Sequence, residues 1–396
     1  MTELEPRLRR LQAQAREWAA EMRPYALEVD RDPDAVARVA HLPALARVAA
    51  LQIPPEFNPE PLVLGDQTYY LMSASERVVF FEEGACADLG MMLGSPGGPM
   101  SGVVVDALGS QEQKEWFFGR LLVRPTWTFF ALSEPEHGSD AANMATRLTP
   151  SADPDGPARL NGVKRYVGNA GRAEFGVVFA RTGPGPLGFA ATLVDATAPG
   201  FATTPVRTIG VRGAGLGEIT LDDVELPPDR VLGAHLRPSR RGMAAWLRTF
   251  NLLRPAVAVM GVGVARAAYE YVLAERSSLR ATERLRLERM ERAIATTRRM
   301  LRAAAAAVDH DPSAGHLASA AKATSARLAE RVTLAALDFF GPGARLEHPL
   351  LDKLVRDAGS VEYMEGTSNI QRLGVFGGLL RGAFPPLQAA RLPTGS

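Results

Sequence analysis

The sequence predicts an α+β protein: helical at both ends, with a β-barrel-like segment between and an antiparallel four-helix bundle at the C-terminus. Three observations carry this. Apolar residues recur at helical spacing near the N-terminus, as in Leu8, Leu11, Ala15 and Trp18. Short alternating or wholly apolar runs bounded by Gly, Pro and Asn replace that pattern from about residue 155. Long periodic stretches separated by Asp311-Pro312 and Gly341-Pro342-Gly343 then return. The expected domains are 1–128, 129–235 and 236–396.

In the first segment, R-L-R-R-L-Q-A-Q-A-R-E-W opens an amphipathic helix, and Q-E-Q-K-E-W-F-F-G-R-L-L (111–122) forms another behind the cap candidate Ser110. The G-S-P-G-G-P cluster at 94–99 breaks the chain between them. In the middle segment, Asn161-Gly162 is read as a hairpin turn. F-G-V-V-F-A-R and G-F-A-A-T-L-V read as strands, and E-I-T-L-D-D-V-E-L-P (218–227) as an alternating strand closed by proline. Glycine-rich G-V-R-G-A-G-L-G (210–217) precedes a strand rather than a helix, so it is a loop and not a dinucleotide fingerprint. The last segment shows helical periodicity over 242–275, 283–309, 314–340 and 350–364, the pattern of an antiparallel bundle.

Composition narrows the function. With 45 Lys+Arg against 44 Asp+Glu, the chain offers no basic excess for nucleic acid. The basic run Arg237–Arg241 reads as a solvated loop. A single cysteine, Cys86, forbids an intrachain disulfide and points to a reducing cytoplasm. The N-terminus lacks the apolar core of a signal peptide. The most apolar helix, near 254–274, carries Arg254, Arg266 and Glu270 and reads as a core helix rather than a membrane span. His310 and His316 have zinc-like spacing but no cysteine pair beside them, so no metal is expected.

The stretch Y-M-E-G-T-S-N-I-Q-R (363–372) interrupts the last helical pattern with residues that favour caps and turns, leaving Glu365 at the tip of a break. Taken alone, Glu362 and Glu365 would be a solvated helix face. A second motif, L-S-E-P-E-H-G-S-D (132–140), lies at the junction with the β segment, and a third, N-G-V-K-R-Y-V-G-N-A-G, spans 161–171. With L-R-P (253–255) opening a long helix, this arrangement resembles the acyl-CoA dehydrogenase family of flavoproteins from about residue 15 to 382.

That resemblance implies an FAD-dependent α,β-desaturation of an acyl thioester. Glu365 would abstract the α proton, its own N–H would bond the thioester oxygen, and flavin N5 would accept the β hydride. It assigns Phe130, Leu132, Ser133, Tyr166, Gly168, Arg276, Thr367 and Asn369 to FAD, and Ser139, Arg254 and Gly366 to the substrate. Some relatives carry the base just before the R-P; that place here holds Leu253, leaving Glu365. Many relatives have Trp-x-Thr where this chain has Tyr166-Val167-Gly168, so a hydroxyl that would bond N5 is missing. The R-x-x-F-G loop after the long helix, which reaches a neighbouring subunit's FAD, is trimmed around Arg276. The acyl pocket would be lined partly by 89–102. His137 stands where relatives carry something small and is expected to face solvent.

The implied partners are acyl-CoA or an acyl-carrier protein, an electron-transfer flavoprotein as acceptor, and further copies of the chain in a homodimer or homotetramer. Two other readings remain open at this point: a flavin-dependent monooxygenase on the same fold, and a non-catalytic relative.

Overall fold

A computed structural model describes residues 4–383 except 154, 186 and 242, and leaves the side chains of 238, 239 and 243–249 undescribed. The expected C-terminal segment thus continues beyond the described residues.

Eight helices of twelve or more residues are found among the described residues: α1 (Pro6–Met22), α2 (Ala74–Leu93), α3 (Gln111–Val123), α4 (Met243–Glu275), α5 (Ala281–His310), α6 (Gly315–Leu337), α7 (Pro349–Ser360) and α8 (Ser368–Leu380). Ser110 caps α3 in a full capping box with Gln113. The L-R-P run does not open its helix: α4 begins at Met243 and carries Pro255 inside. The helix expected over 350–364 ends at Ser360, short of that expectation.

The N-terminal segment is not purely helical. It holds a small hairpin, β1 (Leu62–Leu64) and β2 (Gln67–Tyr69). The middle of the chain forms a seven-stranded curled sheet: β3 (Thr128–Ala131), β4 (Arg147–Thr149), β5 (Ala158–Val167), β6 (Phe175–Arg181), β7 (Phe189–Asp195), β8 (Phe201–Pro205) and β9 (Gly217–Leu226). Their order is β3-β6-β4-β5-β9-β8, with β7 also paired to β6.

Asn161-Gly162 is not a hairpin turn. It sits within β5 at an irregularity in the pairing with β9. Asn161 Oδ1 accepts from the Asp223 N–H at 2.8 Å, and a side chain at Gly162 would meet Thr146 Oγ1 at 2.4 Å. The dipeptide serves a bulge with close backbone approach, where glycine is equally at home.

One hydrophobic core joins α1, α2 and the C-terminal helices; two smaller ones lie under the sheet. Glycines let α4 approach its neighbours. A Cβ at Gly263 would lie 2.7 Å from the Glu82 carbonyl on α2, and one at Gly261 would lie 2.6 Å from Ser325 Oγ on α6. The segment Phe250–Glu275 is long and apolar enough to cross a bilayer, yet 61% of its most apolar window is buried. Its buried Arg266 pairs with Glu82 and Glu83 of α2, so it acts as a core helix here.

The glycine-rich 210–217 loop bolts the sheet to both helical parts. The Val211 N–H donates to Asp357 Oδ1 at 2.6 Å. Lys353 pairs with Asp357 and with Asp88, each at 2.5 Å. A side chain at Gly94 would lie 2.1 Å from the Gly213 carbonyl. Dense packing of this kind brings residues 89–98, 166–169 and 212–215 to one junction.

Candidate active site

The break between α7 and α8 carries the candidate base. Glu365 has φ 54° and Gly366 φ 90°. Left-handed backbone at a non-glycine residue costs about 1–2 kcal/mol and persists only when the surroundings impose it. Here they do. Lys322 of α6 is fully buried, and its Nζ donates to the carbonyls of Glu362 at 2.7 Å and Gly366 at 2.6 Å. Gln371, also buried, donates from Nε2 to the carbonyls of Glu365 at 2.7 Å and Gly366 at 3.1 Å. The Glu362 carboxylate is no free helix face: it accepts from the Ser368 N–H and hydroxyl. Thr367 takes the N-cap position of α8 with extended backbone.

Glu365 as a whole is half-buried, with its carboxyl oxygen Oε2 turned inward. Its Oε2 is cut off from solvent and accepts no hydrogen bond. Burial pushes its carboxyl up to about 7, with Arg254 and Lys322 pulling the other way. The Glu365 N–H donates to no backbone group among the described residues. Arg254 on α4 donates to Asn251 Oδ1 at 2.8 Å, while its buried Nε has no partner. A buried unpartnered acceptor and a buried unpartnered donor thus belong to two residues whose charges interact, and leaving either bond unmade costs about 1–3 kcal/mol. Such atoms mark a place that a ligand completes.

A second group forms at the sheet. Lys164, fully buried on β5, donates to the Leu132 carbonyl at 3.0 Å and pairs with Glu134 at 2.8 Å. Glu134 also accepts from the Ala145 and Thr146 N–H groups. The Arg165 N–H donates to the Ser133 carbonyl at 2.9 Å. The L-S-E run is therefore held against β5 by its backbone, which leaves the Ser133 hydroxyl available. Tyr166 has φ 61° and is 59% exposed. A Cβ at Gly168 would meet only the Ala214 carbonyl, at 3.9 Å. An exposed aromatic face next to open space, with the buried Asn169 Oδ1 unsatisfied beside it, fits a planar polar group such as an isoalloxazine.

The two groups are linked by Phe130, whose ring lies 5.9 Å from that of Phe250 on α4, one turn before Arg254. Ser139 is exposed beyond the motif's turn, and Asn369 is exposed with its Oδ1 bonded to Arg372. His137 is half-buried, 4.0 Å from Asp140. Arg276 is not brought into the cluster. It follows the far end of α4, roughly 30 Å from Arg254 at about 1.5 Å per residue, and donates to the carbonyls of Phe339 and Ser278. Sequence reasoning missed Lys322, Gln371, Lys164 and the structural role of Glu362. The only hint for Lys322 was one cation in the small-residue run A-S-A-A-K-A-T.

Two family models match the chain: the acyl-CoA dehydrogenase middle domain over residues 129–224 and the C-terminal domain over 240–380. A probable acyl-CoA dehydrogenase of Mycobacterium tuberculosis is 30% identical over 69% of this chain and 72% of its own length. The chain belongs to the acyl-CoA dehydrogenase family. A probable acyl-CoA dehydrogenase of Bacillus subtilis is 32% identical over 69% of this chain and 73% of its own. Among solved structures, butyryl-CoA dehydrogenase from Megasphaera elsdenii matches with TM-score 0.83 at 23% identity, covering 96% of this chain and 100% of that one. A prolyl acyl carrier protein oxidase matches with TM-score 0.80 at 19% identity, covering 95% and 100%. FAD is the cofactor of this family; a Mycobacterium smegmatis glutaryl-CoA dehydrogenase of the same fold was solved with FADH2.

Proposed function

We propose that this chain is an FAD-dependent acyl-thioester dehydrogenase in which Glu365 removes the α proton. The observation that carries this is the Glu365 carboxyl: buried and unpartnered at Oε2, held at the tip of a constrained turn, with burial pushing its pKa up to about 7. A base works best with a pKa close to the working pH. A raised pKa makes the carboxylate a stronger base for a weakly acidic C–H beside a thioester.

When bound, FAD supplies the acceptor for the β hydride. Phe130, Leu132, Ser133, Tyr166, Gly168, Thr367 and Asn369 would hold it, with Arg276 serving a neighbouring copy in a homodimer or homotetramer. The rest falls to the protein. The α C–H bond breaks, its proton passes to Glu365 Oε2, and the electron pair it leaves, delocalised toward the thioester carbonyl, becomes the Cα=Cβ bond as the β hydrogen departs as hydride. The free Glu365 N–H stabilises the oxygen on which that charge grows. Arg254 and Lys322 favour the ionised Glu365 that begins the cycle. Ser139 and Gly366 border the thioester. Burial of Glu365 Oε2 keeps water away from the proton it takes.

Anaerobic incubation with acyl-CoAs of graded length, followed by mass spectrometry, tests the reading. A product lighter by two hydrogens supports it; a hydroxylated product in air supports the monooxygenase reading instead. Repeating the assay with acyl-carrier-protein thioesters, and with electron-transfer flavoprotein or O2 as oxidant, separates the two substrate carriers and the two acceptors.

A further inference from the structure

We propose that Lys322 is the positioning residue of this site: its ammonium clamps the carbonyls on either side of Glu365 and presents its charge to that carboxylate. The inference rests on the reading of Glu365 as the base.

Lys322 lies in the middle of α6, at 0% exposure, where an ammonium costs several kcal/mol to bury. Among the described residues it forms no ion pair within 4 Å that would offset this. What it has instead are two backbone carbonyls, Glu362 and Gly366, at 2.7 and 2.6 Å. Helix α7 has ended at Ser360, so these carbonyls have no helical donor of their own. A neutral donor can serve such a carbonyl at lower cost, as Gln371 Nε2 does for Gly366 at 3.1 Å. The ammonium adds a charge placed under the one residue of the turn that combines a left-handed backbone with an unpartnered carboxyl oxygen.

The charges that face Glu365 come from two helices. Arg254 approaches from α4 and Lys322 from α6, and both favour the carboxylate. On its own segment, Glu362 is bonded by Ser368 and faced by Lys322 and Arg372, so the Lys322 charge serves both glutamates of the turn, Glu362 first. Arg254 is held sideways by Asn251 and Ser319 and contacts no backbone of the turn. Lys322 alone of the two joins backbone geometry to charge. Burial brings the ammonium itself down to about 8, so it stays charged at neutral pH.

The test uses the FAD-loaded enzyme with Lys322→Met, Lys322→Gln and Lys322→Arg, and Glu365→Gln as the control. The Glu365 carboxyl is titrated by infrared difference spectroscopy, its band assigned by subtracting the Glu365→Gln spectrum. The rate of anaerobic flavin reduction by an acyl-CoA is followed against pH. In Lys322→Met the Glu365 pKa rises by about one unit or more, and reduction at neutral pH slows on the order of a hundredfold as the turn loses its clamp. Lys322→Gln keeps amide donors for the carbonyls and protects the fold, but shows the same upward shift. Lys322→Arg keeps the charge and leaves the titration near that of the wild type.

Unchanged titration and rate in Lys322→Met and Lys322→Gln overturn the proposal, as does a Lys322→Arg titration displaced as far as that of Lys322→Met. Failure of the underlying reading looks different: Glu365→Gln itself would then still reduce flavin.

Discussion

The Glu362 carboxylate accepts the Ser368 N–H at 2.7 Å and the Ser368 hydroxyl at 2.6 Å. Two glutamates three residues apart therefore have different jobs. Glu362 caps α8 across the turn, and Glu365 keeps an unpartnered carboxyl oxygen for the proposed proton transfer. Glu362→Ala is expected to cost about 1 kcal/mol, the usual loss of a helix cap, read by thermal denaturation. With Glu365 as the proposed base, that variant should still bleach its flavin with substrate, at a reduced rate.

The raised Glu365 pKa makes stability depend on pH. The unfolded carboxyl ionises near 4.5 and the folded one near 7. The folded state thus holds the proton more tightly, and the resulting stability is present below about 4.5 and lost as pH rises through about 7. At about pH 8 the ionised, buried carboxyl costs the fold about 3 kcal/mol. Glu365→Gln, neutral throughout, should be more stable than wild type by roughly this amount at about pH 8 and indistinguishable near about pH 4. Urea denaturation at the two pH values measures it.

Lys164 and Glu134 form a buried pair that also holds the Leu132 carbonyl. Removing one member leaves an uncompensated charge in the interior, a loss of about 3–5 kcal/mol. Lys164→Met should lower the melting temperature and release the Leu132–Ser133 segment. FAD affinity, followed by flavin fluorescence on dilution, should fall with it. Glu134→Gln keeps hydrogen-bonding capacity and should lose less on both counts.

Gly168 and Gly94 are predicted to respond in opposite ways to a side chain. A Cβ at Gly168 finds its nearest neighbour at 3.9 Å, whereas one at Gly94 would lie 2.1 Å from the Gly213 carbonyl. Gly168→Thr should fold with a stability change below about 1 kcal/mol and place a hydroxyl in the open space beside Tyr166. The visible spectrum of the bound flavin and its rate of reoxidation by O2 report the new group. Gly94→Ala should force apart the 212–215 loop and α2, with a lowered melting temperature.

Much of the architecture was legible because it rests on local pattern. The helical periodicity located the long C-terminal helices, and Ser110 was read as a cap because capping chemistry is local. The break at Glu365 was legible because Gly366, Thr367 and Ser368 are poor helix formers in sequence. What escaped was set by distant partners. Lys322 lies 40 positions before Glu362 and 44 before Gly366, and nothing in its own neighbourhood shows that its ammonium will meet those two carbonyls. Asn161-Gly162 misled because a tight turn and a bulge ask the same backbone freedom of glycine; Thr146 and Asp223, across the sheet, decide between them. Glu134 lay inside a motif already singled out, yet its pairing with Lys164 depends on sheet register that the sequence does not display.

Glu365 carries the proposed chemistry. Its most direct measurement is single-turnover absorbance of FAD-loaded Glu365→Gln mixed anaerobically with an acyl-CoA that bleaches the wild type. The expected result is a full yellow spectrum that persists after substrate addition, with FAD content equal to that of the wild type. Bleaching of the variant at a rate near that of the wild type would contradict the account, because the α proton would then be leaving to some other group.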